Sequence, residues 1–210
     1  MSSVNLRKSP AKVSRLLATA LLMLLLPQSF ADTANGNPYQ VVQLVTQALQ
    51  TTARRYEDTA DADLAPFYKT VEQILAPAVD FDQIARLIMG KHYAAATPAQ
   101  REKFANSFRA SLIATYSKSL LGLGEMEIVT LNTDTPVGNQ RRVTIQQKVN
   151  TSKGIIPIAY TLARNKKGEW KVLNMQLLGI NLGQVLRNQF SQAVKTSNGG
   201  IDQAIDDWLS

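Results

Sequence analysis

The hydrophobic period of this chain changes twice, and the two changes limit the folds open to it. Up to Leu120 the apolar residues recur every three or four positions. From Glu125 to Met175 they recur every second position, and from Leu182 the helical spacing returns. A period near 3.6 marks an amphipathic helix, and a period of 2 marks a strand with one buried face. Helices, then strands, then helices exclude the alternating order that builds a parallel sheet and predict an α+β domain. Each strand carries one apolar and one polar face, so helices are expected to cover one side of the sheet.

Local signals place the elements. Asn37-Pro38 reads as an N-cap followed by a first-turn proline, and the helix runs to about Asp58. A second helix near Leu64 to Leu75 carries Phe67, Val71 and Ile74 on one side and stops before Pro77. Asp80, with Gln83 three residues on, caps a third that carries Ile84, Leu87 and Ile88 and ends at Gly90. Thr97-Pro98-Ala99-Gln100 is a capping box. The helix behind it spaces Phe104, Phe108, Leu112, Tyr116 and Leu120 four apart. Strands are predicted over Met126–Thr133, Arg142–Val149, Ile155–Arg164 and Trp170–Met175. Their short connections favour a mostly antiparallel, four-stranded meander. Leu182–Lys195 and Ile201–Leu209 are the last helices, separated by Asn198-Gly199-Gly200.

The first 31 residues read differently. Arg7, Lys8, Lys12 and Arg15 precede an apolar run of 11, Leu16 to Leu26, then Pro27 and Ser29-Phe30-Ala31. This is the pattern of a secretory signal peptide cleaved after Ala31, which places the mature protein in the periplasm. At ~1.5 Å per residue the run spans about half of a hydrocarbon core. Residues 32–210 then form one domain. They keep 19 basic against 16 acidic side chains, so +3 replaces the +7 of the whole chain. The basic residues occur as scattered pairs such as Arg54-Arg55 and Arg141-Arg142, with no run that would favour nucleic acid.

Much chemistry is missing. The chain has no cysteine and one histidine, His92, which removes disulfide scaffolds, thiol nucleophiles and multi-histidine metal sites. No G-x-S-x-G or Walker A pattern occurs. Asp80 and Asp82 are a capping arrangement before they are a catalytic pair. No catalytic residue, metal or cofactor is expected.

Several stretches together resemble a known family. These are Ala76-Pro77-Ala78-Val79-Asp80-Phe81-Asp82-Gln83-Ile84-Ala85, Met89-Gly90-Lys91-His92-Tyr93 and Thr97 to Phe104. Phe108, Leu112 and Tyr116 follow, then Gly168-Glu169-Trp170-Lys171-Val172, Gly179-Ile180-Asn181-Leu182 and Arg187-Asn188-Gln189-Phe190. In order and spacing they are similar to the MlaC, or toluene-tolerance, family of periplasmic phospholipid-binding proteins, over nearly all of residues 37–209. Asn181 stands where the family often has serine.

The resemblance implies a mixed sheet and a set of helices that enclose a deep apolar pocket for acyl chains, with phospholipid as cargo. It implies two membrane partners, an outer-membrane lipoprotein–porin complex and an inner-membrane ABC transporter with its substrate-binding domain. It also implies a role in outer-membrane lipid asymmetry. The residues supply candidate walls. Val143, Ile145 and Val149 share one strand face, Ile156, Ile158 and Tyr160 another, and Phe104, Phe108, Leu112 and Tyr116 one helix face. Val71, Ile74, Ile84, Leu87, Ile88, Tyr93, Met175, Ile180 and Phe190 join them as candidate lipid contacts. Arg86, Lys91, Arg187 and Lys195, near helix ends, are candidate docking cations on a monomer. Spacing alone leaves open which of the apolar residues line a void and which fill a solid core. Two other readings stay open: a small-molecule enzyme of nuclear-transport-factor-2-like shape, and a periplasmic protein-interaction module. The enzyme needs an inward carboxylate, and Arg142–Val149 and Ile155–Arg164 contain none.

Overall fold

The computed structural model describes residues 36–59 and 63–209, and the expected leader lies outside them. Five helices come first: α1 (Pro38–Tyr56), α2 (Ala65–Leu75), α3 (Phe81–Met89), the one-turn α4 (His92–Ala95) and the long α5 (Pro98–Leu120). The expected caps form. Asp80 accepts a bond from the Gln83 amide at 2.9 Å, and Thr97 and Gln100 cap each other reciprocally. Helix α4 has no counterpart in the sequence reading because one turn is too short to show a period.

The strands are β1 (Glu127–Thr130), β2 (Arg142–Thr151), β3 (Gly154–Arg164), β4 (Trp170–Leu177) and β5 (Ile180–Asn181). Helices α6 (Leu182–Thr196) and α7 (Ile201–Leu209) follow. The strands pair in sequence order, each neighbour antiparallel. The sheet thus has five strands, not the four expected. β5 is two residues long, too short for alternation to reveal, and pairs with Gln176 and Leu177. The chain reaches it through Leu178 and Gly179, both at positive φ (51° and 81°), the backbone of a tight hairpin whose twist matches its strands.

The register sets the helix-covered face. Val143, Ile145, Gln147 and Val149 of β2 stand opposite Leu162, Tyr160, Ile158 and Ile156 of β3. Tyr160 and Ile158 in turn face Met175 and Leu177 of β4. A register shift between Thr161 and Leu162 lets Val172, opposite Leu162, share that face. β5 covers only one end of β4. The other end is closed by the segment before α3, where the Val172 amide donates to the Ala78 carbonyl at 2.8 Å.

Three apolar clusters hold the fold. The first joins α3, α5, α6 and α7 through Phe104, Phe108, Phe190 and Ile205. The second seats Val41 and Val42 of α1 on Ile145, Leu162 and Trp170 of the sheet. The third joins α2 and α5 through Phe67, Val71 and Ile113. α5 belongs to two of them, which explains a departure from its stripe. Residues four apart advance 400° at 100° each, so a strict i+4 row drifts about 40° per step around the helix. Phe104 and Phe108 are buried, but Tyr116 has drifted out and is 58% exposed, while Ile113 and Ser117 take the buried side.

A second joint is polar. Along one side of α1, Thr46 accepts a bond from buried Gln147 of β2 at 3.0 Å, and Gln147 also donates to Thr130 of β1. Gln50 donates to the carbonyls of Leu123 and Met126, and Arg54 to that of Gly124.

Candidate functional site

The helix-covered face of the sheet is filled unevenly. At one end Ile145, Leu162 and Trp170 are fully buried beneath α1. At the other end Ile156, Ile158, Met175 and Leu177 are only half-buried and belong to none of the three clusters. Ile74 of α2 has the same status. The four strand side chains form an apolar wall that packing has not consumed. At the unfilled end no charged residue takes a helix-facing position of β2, β3 or β4; Arg164, opposite Trp170 and over its ring at 4.6 Å, brings a charge to that face at the filled end.

Tyr160 stands at the boundary between the filled and unfilled ends, opposite Ile145 and Met175. Burial pushes its phenol up to about 12. Its hydroxyl makes no hydrogen bond to a described residue and is not itself fully buried, the residue as a whole being half-buried. The folded protein therefore holds the Tyr160 proton up to about pH 12, while an unfolded tyrosine releases it near pH ~10. Its contribution to stability is complete below the lower value and is lost as pH rises between the two. The expected loss over that window is about 2–3 kcal/mol. Urea unfolding of wild type and Tyr160→Phe at stepped pH checks it: the variant should lack that decline.

The other candidates divide. Val71, Ile88, Phe104, Phe108, Ile145, Val149 and Phe190 are buried. Ile84, Tyr93, Leu112 and Val143 are half-buried against the clusters. Ile180 is exposed on β5, and Tyr116 on α5. Leu112 packs on both helical clusters and lines a groove of about 420 Å³ between α5, α6 and α7, together with Phe108, Tyr116, Leu186 and Trp208. Leu177 and Leu186 escaped the sequence reading. Leu177 continues the alternation two residues past Met175, so reading that strand one step longer would have found it.

Three of the four candidate docking cations come together. Arg86, Lys91 and Arg187 line a second groove, of about 380 Å³, with Leu87, Tyr93 and Ala94. Lys195 is exposed about 12 Å further along α6 and does not line it. His92 is half-buried beside Phe190, with Nε2 3.4 Å from Ser191 Oγ. Burial, and then the neighbouring charge of Lys91, hold its pKa below the usual histidine value. Among the described residues no three metal-ligating side chains gather, and no helix is long and apolar enough to cross a membrane.

Asn181 has a clear local role. Its side-chain oxygen accepts from the Gln184 amide at 3.0 Å, capping α6, and from Asn174 Nδ2 at 2.9 Å. Asn174 Oδ1 accepts the Gly183 amide, and a Cβ on Gly183 would lie 2.6 Å from that oxygen. Glycine is required there by the close approach.

Comparison with known proteins agrees with this architecture. The family profile described as MlaC protein matches residues 43–210. The chain is 33% identical over 195 residues to toluene tolerance protein ttg2D of Pseudomonas putida, covering 92% of this chain and 89% of that protein. It is 24% identical over 152 residues to the intermembrane phospholipid transport system binding protein MlaC of Haemophilus influenzae, covering 71% of each. A solved structure of a phospholipid-binding protein from Ralstonia solanacearum, in complex with a phospholipid, has the same fold. Its TM-score is 0.72 at 20% identity, over 82% of this chain and 94% of that one. With most of its length matched by the profile and by a curated relative, the chain belongs to the MlaC family.

Proposed function

We propose that this protein is a periplasmic phospholipid carrier, a single domain over residues 32–210 released by cleavage after Ala31. Acyl chains lie against the unfilled end of the sheet, on Ile156, Ile158, Met175 and Leu177, with Tyr160 at the inner limit and Ile74 of α2 as a further candidate contact. The observation that carries the reading is this uncharged, half-buried wall, which lies outside every packed cluster. Its relatives are named for phospholipid transport and toluene tolerance. The partners would be an outer-membrane lipoprotein–porin complex and an inner-membrane ABC transporter, and the outcome outer-membrane lipid asymmetry.

The energetics suit a carrier. Each acyl CH₂ removed from water contributes ~0.8 kcal/mol, so a lipid with roughly 30 of them lies on the order of 20 kcal/mol uphill in water. An apolar wall without charge offsets that cost and, lacking strong polar anchors, lets the lipid go to a bilayer of similar affinity. At about 30 Å³ per methylene, taken as the share of a water molecule, two chains need about 900 Å³. Neither surface groove alone holds them. Loading is expected to part elements around the wall.

Native mass spectrometry of protein recovered from cells tests both halves of the reading. The expected species is a polypeptide starting at Asp32 with a phospholipid's mass added. A bare, folded polypeptide would overturn the carrier, and a chain starting at Met1 would overturn the leader.

A further inference from the structure

The groove between the end of α3, α4 and α6 gathers positive charge, with no acid of the described residues paired to it. Arg86, Lys91 and Arg187 line it, and none forms an ion pair among the described residues. Other surface cations do find acids nearby, as in Arg109–Glu72 at 2.8 Å and Lys171–Glu169 at 3.1 Å. Two of the groove cations are held in place. Arg187 Nε donates to the Leu87 carbonyl at 2.7 Å. The Arg86 guanidinium lies over the Tyr93 ring at 5.2 Å, and Arg101 covers the same ring at 4.4 Å. Guanidinium forks fixed in this way lose little freedom on meeting a carboxylate and match its geometry. Leu87, Tyr93 and Ala94 supply an apolar floor between them.

We propose that this groove docks an acidic segment of a partner protein. The segment sets carboxylates on Arg86, Lys91 and Arg187 and an apolar side chain on Leu87 and Tyr93. Shape decides between this partner and an anionic bilayer. Exposed charges around the apolar floor of an open groove suit a segment laid along it, which meets both, better than a flat surface, which meets the charges alone. The exposed Leu178 and Ile180, which a bilayer would take up, stand at the sheet hairpin and do not line the groove. The inference rests on the carrier reading for where such a partner is met, and on the groove alone for its chemistry.

The full chain as recovered from cells is titrated with a short polyglutamate peptide carrying one central leucine, with its polyglutamine counterpart, and with phosphatidylglycerol vesicles. The acidic peptide is expected to shift the Gly90 and Ala94 amide resonances, and to bind more weakly as salt rises. The glutamine peptide should shift neither. Arg86→Gln and Lys91→Gln should each weaken the acidic peptide about fivefold with bound lipid unchanged. Arg187 is left in place because it caps α3. Equal binding of both peptides, shifts remote from the groove, or unchanged affinity in both variants would overturn the proposal. So would vesicle binding that the substitutions abolish in a protein that ignores the peptide, since the groove would then be a membrane contact. Loss of lipid from a folded variant would place the groove in the cargo site and overturn it as well. Lipid-free wild type that still binds the acidic peptide would sink the carrier reading and leave the groove standing.

Discussion

The Ile158→Arg protein is expected to fold and to carry no phospholipid. Ile158 stands opposite Gln147 and Leu177, half-buried and outside every cluster. An arginine there takes little packing from the core. It does set a cation against acyl chains, which costs several kcal/mol unless the head reaches water. Each ~1.4 kcal/mol is a tenfold change in retention, so a penalty of that size empties the carrier. The readout is phospholipid per folded protein, with circular dichroism in parallel. An unfolded product would make Ile158 ordinary core and remove the central strand from the wall.

Phe104→Ala is expected to act in the opposite manner, through stability. Phe104 has no accessible surface, and its ring centroid lies 4.7 Å from that of Phe190, 5.2 Å from Trp208 and 6.1 Å from Phe108. Truncating such a side chain leaves a cavity that neighbours only partly close, at a cost of about 3–5 kcal/mol. For a chain of this size that lowers Tm by roughly 10 °C. The comparison belongs on lipid-free protein, because bound cargo adds its own stabilisation. Ile158→Ala on the same scale should cost under ~1.5 kcal/mol, since little packing is lost. Equal Tm losses for the two variants would erase the distinction between wall and core.

That distinction was the part the sequence did not carry. Phe104 and Ile158 both sit at apolar positions of the expected period, and a period reports which face a residue takes, not what stands opposite it. The α+β order, the caps at Asp80 and Thr97 and the alternation of β2 and β3 were legible because each is a local rule acting over a few residues. β5 and α4 were not, being too short to repeat anything. Tyr116 lies exposed although it shares its row with buried Phe104 and Phe108, because an i+4 row slips around a long helix. Arg86 and Arg187 meet through Leu87 although they are a hundred residues apart in sequence, which only packing of α3 on α6 brings about. Their shared position near helix ends was the hint, and Lys195 shows its limit, since it meets the same description and points elsewhere.

The line of Thr46, Gln50 and Arg54 along α1 has a mechanical meaning. Each of its bonds joins groups that water satisfies almost as well, so each is worth only about 1 kcal/mol net. Its members can be wetted and rejoined. The ring stack around Phe104 has no such substitute in solvent and comes apart only with the fold. A shell held by three apolar clusters and one polar zipper is expected to yield first at the zipper, along the margin of the sheet away from the seat of Val41 and Val42. That margin is expected to open and close again while the apolar clusters keep the fold.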